Sequence, residues 1–158
     1  MPSPHESFWR HDTYVVVGHS ARSNFPKLTF NALRAGGKTV HAVDPSCDSV
    51  EGENAHRDFD ALLEHLAGDG QGDARASLEE VAAVIEVPRD ETAGWIGRAA
   101  DSGIKKVWIH MGRETPEALA LAKERGVDVC HGTCAVQYLD ESFPHSVHAW
   151  IRRLLGRY

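Results

Sequence analysis

The segment Gly18-His-Ser-Ala-Arg-Ser-Asn-Phe-Pro-Lys27 holds the residue types best suited to an anion. Ser20 and Ser23 carry hydroxyl donors, and Arg22 and Lys27 are the cations near the loop. A helix that follows would add free backbone N–H groups and the positive end of its dipole, which favour phosphate. Gly18 lets the backbone come close to a ligand, and two cations suit a pyrophosphate or a separate phosphate. The competing reading is a turn glycine followed by two solvated surface charges. The segment is not the dinucleotide fingerprint: Gly-x-Gly-x-x-Gly would need glycines where His19-Ser20 and Ser23 stand.

Asp44 ends a second apolar run, some twenty-odd residues past Gly18. In NAD-binding domains an acid there bonds the adenosine ribose. In Asp44-Pro45 it can equally start a turn, and that reading ranks first. Three cysteines, Cys47, Cys130 and Cys134, suit reduced thiols. Cys134, with His131 three residues before it, could face a ligand at the end of the last strand; a buried, inert cysteine is the commoner fate. Cys130, His131, Cys134 and His110 lack the paired spacing of a metal site, and none is expected. The chain shows no triad, no paired acidic cluster and no base beside a nucleophile, so no catalytic set is legible.

Elements that could position the loop alternate along the chain. Apolar, β-branched runs at 13–17, 39–43, 82–87, 106–110 and 127–130 read as five buried strands. Helical spacing at 28–35, 58–66, 90–102 and 115–125 fills the gaps, with Asp90 or Thr92 as one N-cap and Thr115-Pro116 opening the last helix. Residues 49–56 read as a loop with a short edge strand. The glycine-rich stretch at 67–76 reads as a flexible insertion, and 143–156 as a terminal amphipathic helix able to meet a partner or a second copy. The whole predicts an α/β, Rossmann-like doubly wound parallel sheet in one domain over 1–158. In such sheets ligands bind beyond the carboxyl ends of the strands, where the β1–α1 loop lies.

With 158 residues, 42% of them hydrophobic, the chain can bury a sizeable core. A net charge of −6 argues against a nucleic-acid partner. No apolar run approaches the ~20 residues of a membrane span, and no signal peptide is legible, so a cytoplasmic protein is expected.

Taken in order, the pieces resemble the small CoA-binding domain family, related to the nucleotide-binding domain of the succinyl-CoA synthetase α subunit. Val-Val-Val-Gly-His-Ser-Ala-Arg (15–22) resembles its first strand and Gly-x-Ser turn. Residues 35–45 resemble the second strand with its closing Asn-Pro, here Asp44-Pro45; 85–89, 106–112 and 126–134 resemble the later strands, down to the family's cysteine. The resemblance implies coenzyme A as ligand. It places the CoA phosphates at Gly18, Ser20, Ala21, Arg22 and Lys27, and the adenosine end near Asp44-Pro45 and Val87-Pro88. It puts the pantetheine arm near Met111-Gly112, pointing toward Cys134, where a mixed disulfide could form. It implies a non-catalytic binding or regulatory module. The alternative is an NAD(P)-binding enzyme of unknown substrate.

Overall fold

Strands buried on both faces need apolar side chains pointing both ways, and Tyr14-Val-Val-Val17 supplies them. In the computed structural model, which describes residues 3–69 and 78–139, these residues form β1 (Thr13–Gly18). Tyr14 and Val16 pack into one core, Val15 and Val17 into the other. The chain opens with α1 (Pro4–Phe8). After β1 come α2 (Phe25–Ala35), β2 (Thr39–Val43), β3 (Ser49–Val50), β4 (Glu53–His56) and α3 (Phe59–Gly68). Then follow β5 (Ala82–Glu86), a 3-10 turn (Arg89–Glu91), α4 (Thr92–Asp101), β6 (Lys106–Ile109), α5 (Pro116–Glu124), β7 (Asp128–Cys130) and α6 (Ala135–Tyr138).

The described residues form a sheet in the order β3-β4-β2-β1-β5-β6-β7. All pairings are parallel except β3 with β4. Without β3, this is the doubly wound order whose reversal lies between β1 and β5. Residues of α3, α4 and α5 cover the face that carries Val15, Ile85 and Val107. Phe8 of α1, Phe30 and Leu33 of α2, and Ala135 of α6 cover the face that carries Tyr14, Val84 and Trp108. A helix layer on each face leaves the carboxyl edge of the central strands for the loops.

The α/β reading holds, with two strands more than the five expected. The extra pair is the polar stretch 49–56, whose single edge strand is a short antiparallel hairpin joined to β2. The helix expected from Leu28 starts at Phe25, with Pro26 in its first turn, so Lys27 belongs to α2 and not to the loop. Neither Asp90 nor Thr92 caps α4. Thr92 instead donates through Oγ1 to the Arg113 carbonyl at 2.8 Å. Thr115 does cap its helix, accepting from Ala118 N–H at 3.0 Å. The unexpected α1 is a capping box: Ser3 Oγ accepts from Glu6 N–H, and the Glu6 carboxylate accepts from Ser3 N–H. His5 Nε2 lies 3.1 Å from the His131 carbonyl, and Cys130 Sγ is 3.7 Å from the Pro4 carbonyl, so α1 is tied to the end of β7. The insertion expected at 67–76 begins inside α3, which runs to Gly68. Its stretch 70–76, and the terminal helix expected at 143–156, lie outside the described residues.

Candidate functional site

At the reversal between β1 and β5, a cleft of about 130 Å³ opens beyond the strand ends. Three loops build it. The β1–α2 loop gives His19, Arg22, Ser23 and Phe25; the β5 exit gives Glu86, Val87 and Pro88; the β6 exit gives His110 and Arg113.

The β1–α2 loop is organised from below by Asp44. Its Oδ2 accepts from Ser20 N–H at 2.7 Å, and its Oδ1 accepts from Ser46 N–H at 2.9 Å and Ser46 Oγ at 2.5 Å. Burial pushes the Asp44 carboxyl up, but the hydrogen bonds from Ser20 and Ser46 together outweigh burial and hold it below the usual carboxylate range. Ala21 N–H donates to Ser46 Oγ, Arg22 and Ser23 N–H to the His19 carbonyl, and Phe25 N–H to Ser23 Oγ. The backbone N–H groups of residues 20–23 and 25 are therefore engaged within the protein. The Ser20 hydroxyl is buried beside Asp44 without a well-aligned hydrogen bond. An anion at this loop would draw chiefly on side chains, and Arg22 is exposed to meet it.

Gly18 has a different task from the one its type suggests. A Cβ there would stand 2.2 Å from Cγ of Pro26, so glycine is what lets the first turn of α2 sit on the end of β1. Opposite Gly18 in the register is Glu86, the last residue of β5. The neighbouring His110 is tied to β5 by its N–H, which donates to the Ile85 carbonyl at 3.0 Å. Glu86 and His110 thus stand side by side on the cleft floor, with Oε2 and Nδ1 3.3 Å apart and side-chain exposures of 1% and 6%. The distance is that of an ion pair, but neither Glu86 carboxylate oxygen nor His110 Nδ1 has a hydrogen-bond partner of good geometry. Phe25 lies over His110 with ring centroids 4.5 Å apart. On the rim, His19 Nε2 meets Glu91 Oε2 at 2.6 Å. Slight burial raises the Glu91 carboxyl, while His19 and neighbouring donors and charges together bring it lower than usual.

Of the residues singled out in the sequence, Arg22, Ser23, Val87 and Pro88 line this cleft. Ser20, Ala21 and Asp44 form its supporting turn, Gly18 lies under Pro26, and Lys27 is half-buried on α2. Pro45 instead lines a second hollow of about 450 Å³, with Phe59, Arg57 and Arg98. Met111 and Gly112 form the turn after β6, closed by Arg113 N–H donating to the His110 carbonyl at 2.9 Å, with Gly112 at φ +77°. Cys134 is 1% exposed and packs with Val136 and Leu28. Sequence reasoning missed Glu86 and Arg113, and weighed His110 only as a metal ligand. A charged residue closing the apolar run Ala82-Ala-Val-Ile-Glu86 was the available signal. Among the described residues, no cluster of three or more His, Cys, Asp or Glu could hold a metal, and no helix is long and apolar enough to cross a membrane.

No curated protein matches this chain. Among solved structures, it is similar to Prb, a protein redesigned for binding, at 21% identity and a TM-score of 0.67, covering 98% of this chain and 91% of that one. A hypothetical protein from Pyrococcus horikoshii OT3 gives 20% identity and a TM-score of 0.67, over 86% of this chain and 87% of its own. A Thermus thermophilus protein, cell-free ID.343, gives 20% identity and a TM-score of 0.67, over 87% and 95%. At such identities the likeness concerns the fold alone. The family is another matter, since a model described as CoA binding domain matches residues 12–139, and the chain belongs to that family.

Proposed function

We propose that this protein binds coenzyme A or an acyl-CoA at the switch-point cleft, as a binding or regulatory module. The observation that carries the reading is the pair of arginines, Arg22 and Arg113, which border a cleft at the β1–β5 reversal of a CoA-binding-family fold. Guanidinium groups suit phosphate oxygens. Lys27, in the first turn of α2, is a further cation on the helix that follows the loop, outside the lining of the cleft. The adenosine end extends toward Pro45, which lines a hollow where Arg57 and Arg98 stand among Asp58, Asp60 and Asp101. The NAD reading loses its main support: both Asp44 oxygens are already engaged by Ser20 and Ser46, and Ser20 stands where the second fingerprint glycine would be. A disulfide between Cys134 and the CoA thiol is no part of the reading, because Cys134 is buried behind Leu28 and Val136.

Titration calorimetry with CoA and with NAD, in reductant, tests this. CoA is expected to bind and NAD not. Arg22→Ala should weaken CoA binding about tenfold, the loss of one charge-assisted contact, with an unchanged melting temperature. NAD binding in place of CoA, or an Arg22→Ala variant with undiminished affinity, would refute the reading.

A further inference from the structure

The floor of the cleft holds hydrogen-bonding capacity that the protein itself leaves unused. Glu86 Oε2 and His110 Nδ1 face each other at 3.3 Å, yet neither Glu86 oxygen nor His110 Nδ1 makes a hydrogen bond of good geometry, and all three atoms are buried. Burying a polar group this way costs free energy, more so for a carboxylate, unless something supplies the missing donors. The cleft above is about 130 Å³, several times the ~30 Å³ that one water takes up in the liquid, so ligand atoms fit. Its walls include the apolar Phe25, Val87 and Pro88, while the cations Arg22 and Arg113 provide for the ligand's anionic part.

We propose that the Glu86–His110 pair receives a neutral hydrogen-bond-donating group of the ligand, and that in CoA this group is an amide N–H of the pantetheine arm. The inference rests on the CoA reading above and adds to it which part of the ligand enters. A carboxylate accepts, so the entering group donates. A phosphate there would meet a like charge, so phosphates stay with the arginines. An amide matches all three features of the cleft: it is uncharged, it donates, and it sits on a chain whose methylenes suit Phe25, Val87 and Pro88. A bare alkyl chain on the same floor would bury the Glu86 oxygens still unpaired. The cleft therefore favours the amide arm itself over a long acyl tail.

The test uses two probes on the full chain: CoA, and adenosine 3′,5′-bisphosphate, which lacks the pantetheine arm. Glu86→Leu keeps the approximate volume and removes both acceptors. It should weaken CoA binding at least about tenfold and leave the bisphosphate within about twofold. Glu86→Leu removes a buried carboxylate and also the neighbour of His110, so the melting temperature of the unliganded variant is read beside its binding. His110→Phe should show the same selective loss and serves if Glu86→Leu fails to fold. If the wild type binds no CoA, the CoA reading fails and this inference with it. If the wild type binds CoA and both variants bind it equally well, or lose both probes alike, the inference alone is overturned. A large drop in melting temperature with unchanged CoA affinity would make Glu86 a structural anchor and overturn it too.

Discussion

The β1–α2 loop and the floor of the cleft lie next to each other and differ in where their hydrogen bonds go. In the loop, the N–H groups of Ser20, Ala21, Arg22, Ser23 and Phe25 are all taken up by Asp44, Ser46, His19 and Ser23. On the floor, the oxygens of Glu86 and Nδ1 of His110 have no such partner. The loop has the residue types associated with phosphate, yet it is largely a self-contained turn. The floor reads as the ends of two core strands, yet it retains the unsatisfied chemistry. The lesson is that polar composition marks where a ligand can approach, while unpaired buried polarity marks what it must bring.

This contrast can be broken most forcefully at Gly18. If its role is to pack under Pro26, Gly18→Ala should cost about 2–3 kcal/mol, the scale of an overpacked contact. That is a fall in melting temperature of about 5–10 °C for a chain this size. Adding Pro26→Ala should recover part of the loss. Unchanged stability with weakened CoA binding would instead return Gly18 to the ligand.

Asp44 offers the next largest effect. Asp44→Ala should cost about 2 kcal/mol, as hydrogen bonds to a charged acceptor are removed. The folded-state pKa lies below the ordinary 3.8, so the unfolded chain binds the proton more readily. The stabilisation is therefore fully present above pH 3.8 and is lost as pH falls through the folded value. Histidines His41 and His56, held below their ordinary 6.5 first by burial and then by neighbouring histidines, weaken the fold earlier, as pH drops below 6.5. Thermal melts of wild type and Asp44→Asn at stepped pH isolate the Asp44 contribution. The gap between the two curves should be constant near neutrality and close in acid.

The smallest effect belongs to the rim. His19→Gln removes the contact with the partly exposed Glu91, and a surface pair of this kind contributes about 0.5 kcal/mol or less. Its melting temperature should stay within about 2 °C of wild type. A larger fall would mean that the rim, not Asp44, holds the loop in shape.

Much of the fold was legible because buried parallel strands announce themselves as β-branched runs. Tyr14-Val-Val-Val17 and Lys106-Val-Trp-Ile109 are examples. At 49–56 one short edge strand was read and the second strand of the hairpin was not, because its polar residues carry almost no period. The start of α2 escaped because Phe25-Pro26 read as loop, although proline suits a first helical turn. Ser3-Pro-His-Glu6 was a legible capping box that the nearby prolines obscured. For the site, Arg22 and the Val87-Pro88 exit were legible from type and order. Glu86 and His110 were not, because a strand end shows its neighbours across the sheet only once the register is known.

The α1 segment has a consequence for the sheet's outer boundary. Among the described residues, β7 is its last strand on that side, three residues long. Pro4 and His5 hold the backbone and thiol at its end, and the His5 ring stands edge-on to Trp108. Residues 4–8 thus fasten the end of this border strand and pack over the indole of Trp108, so that the short β7 is held by more than its pairing with β6.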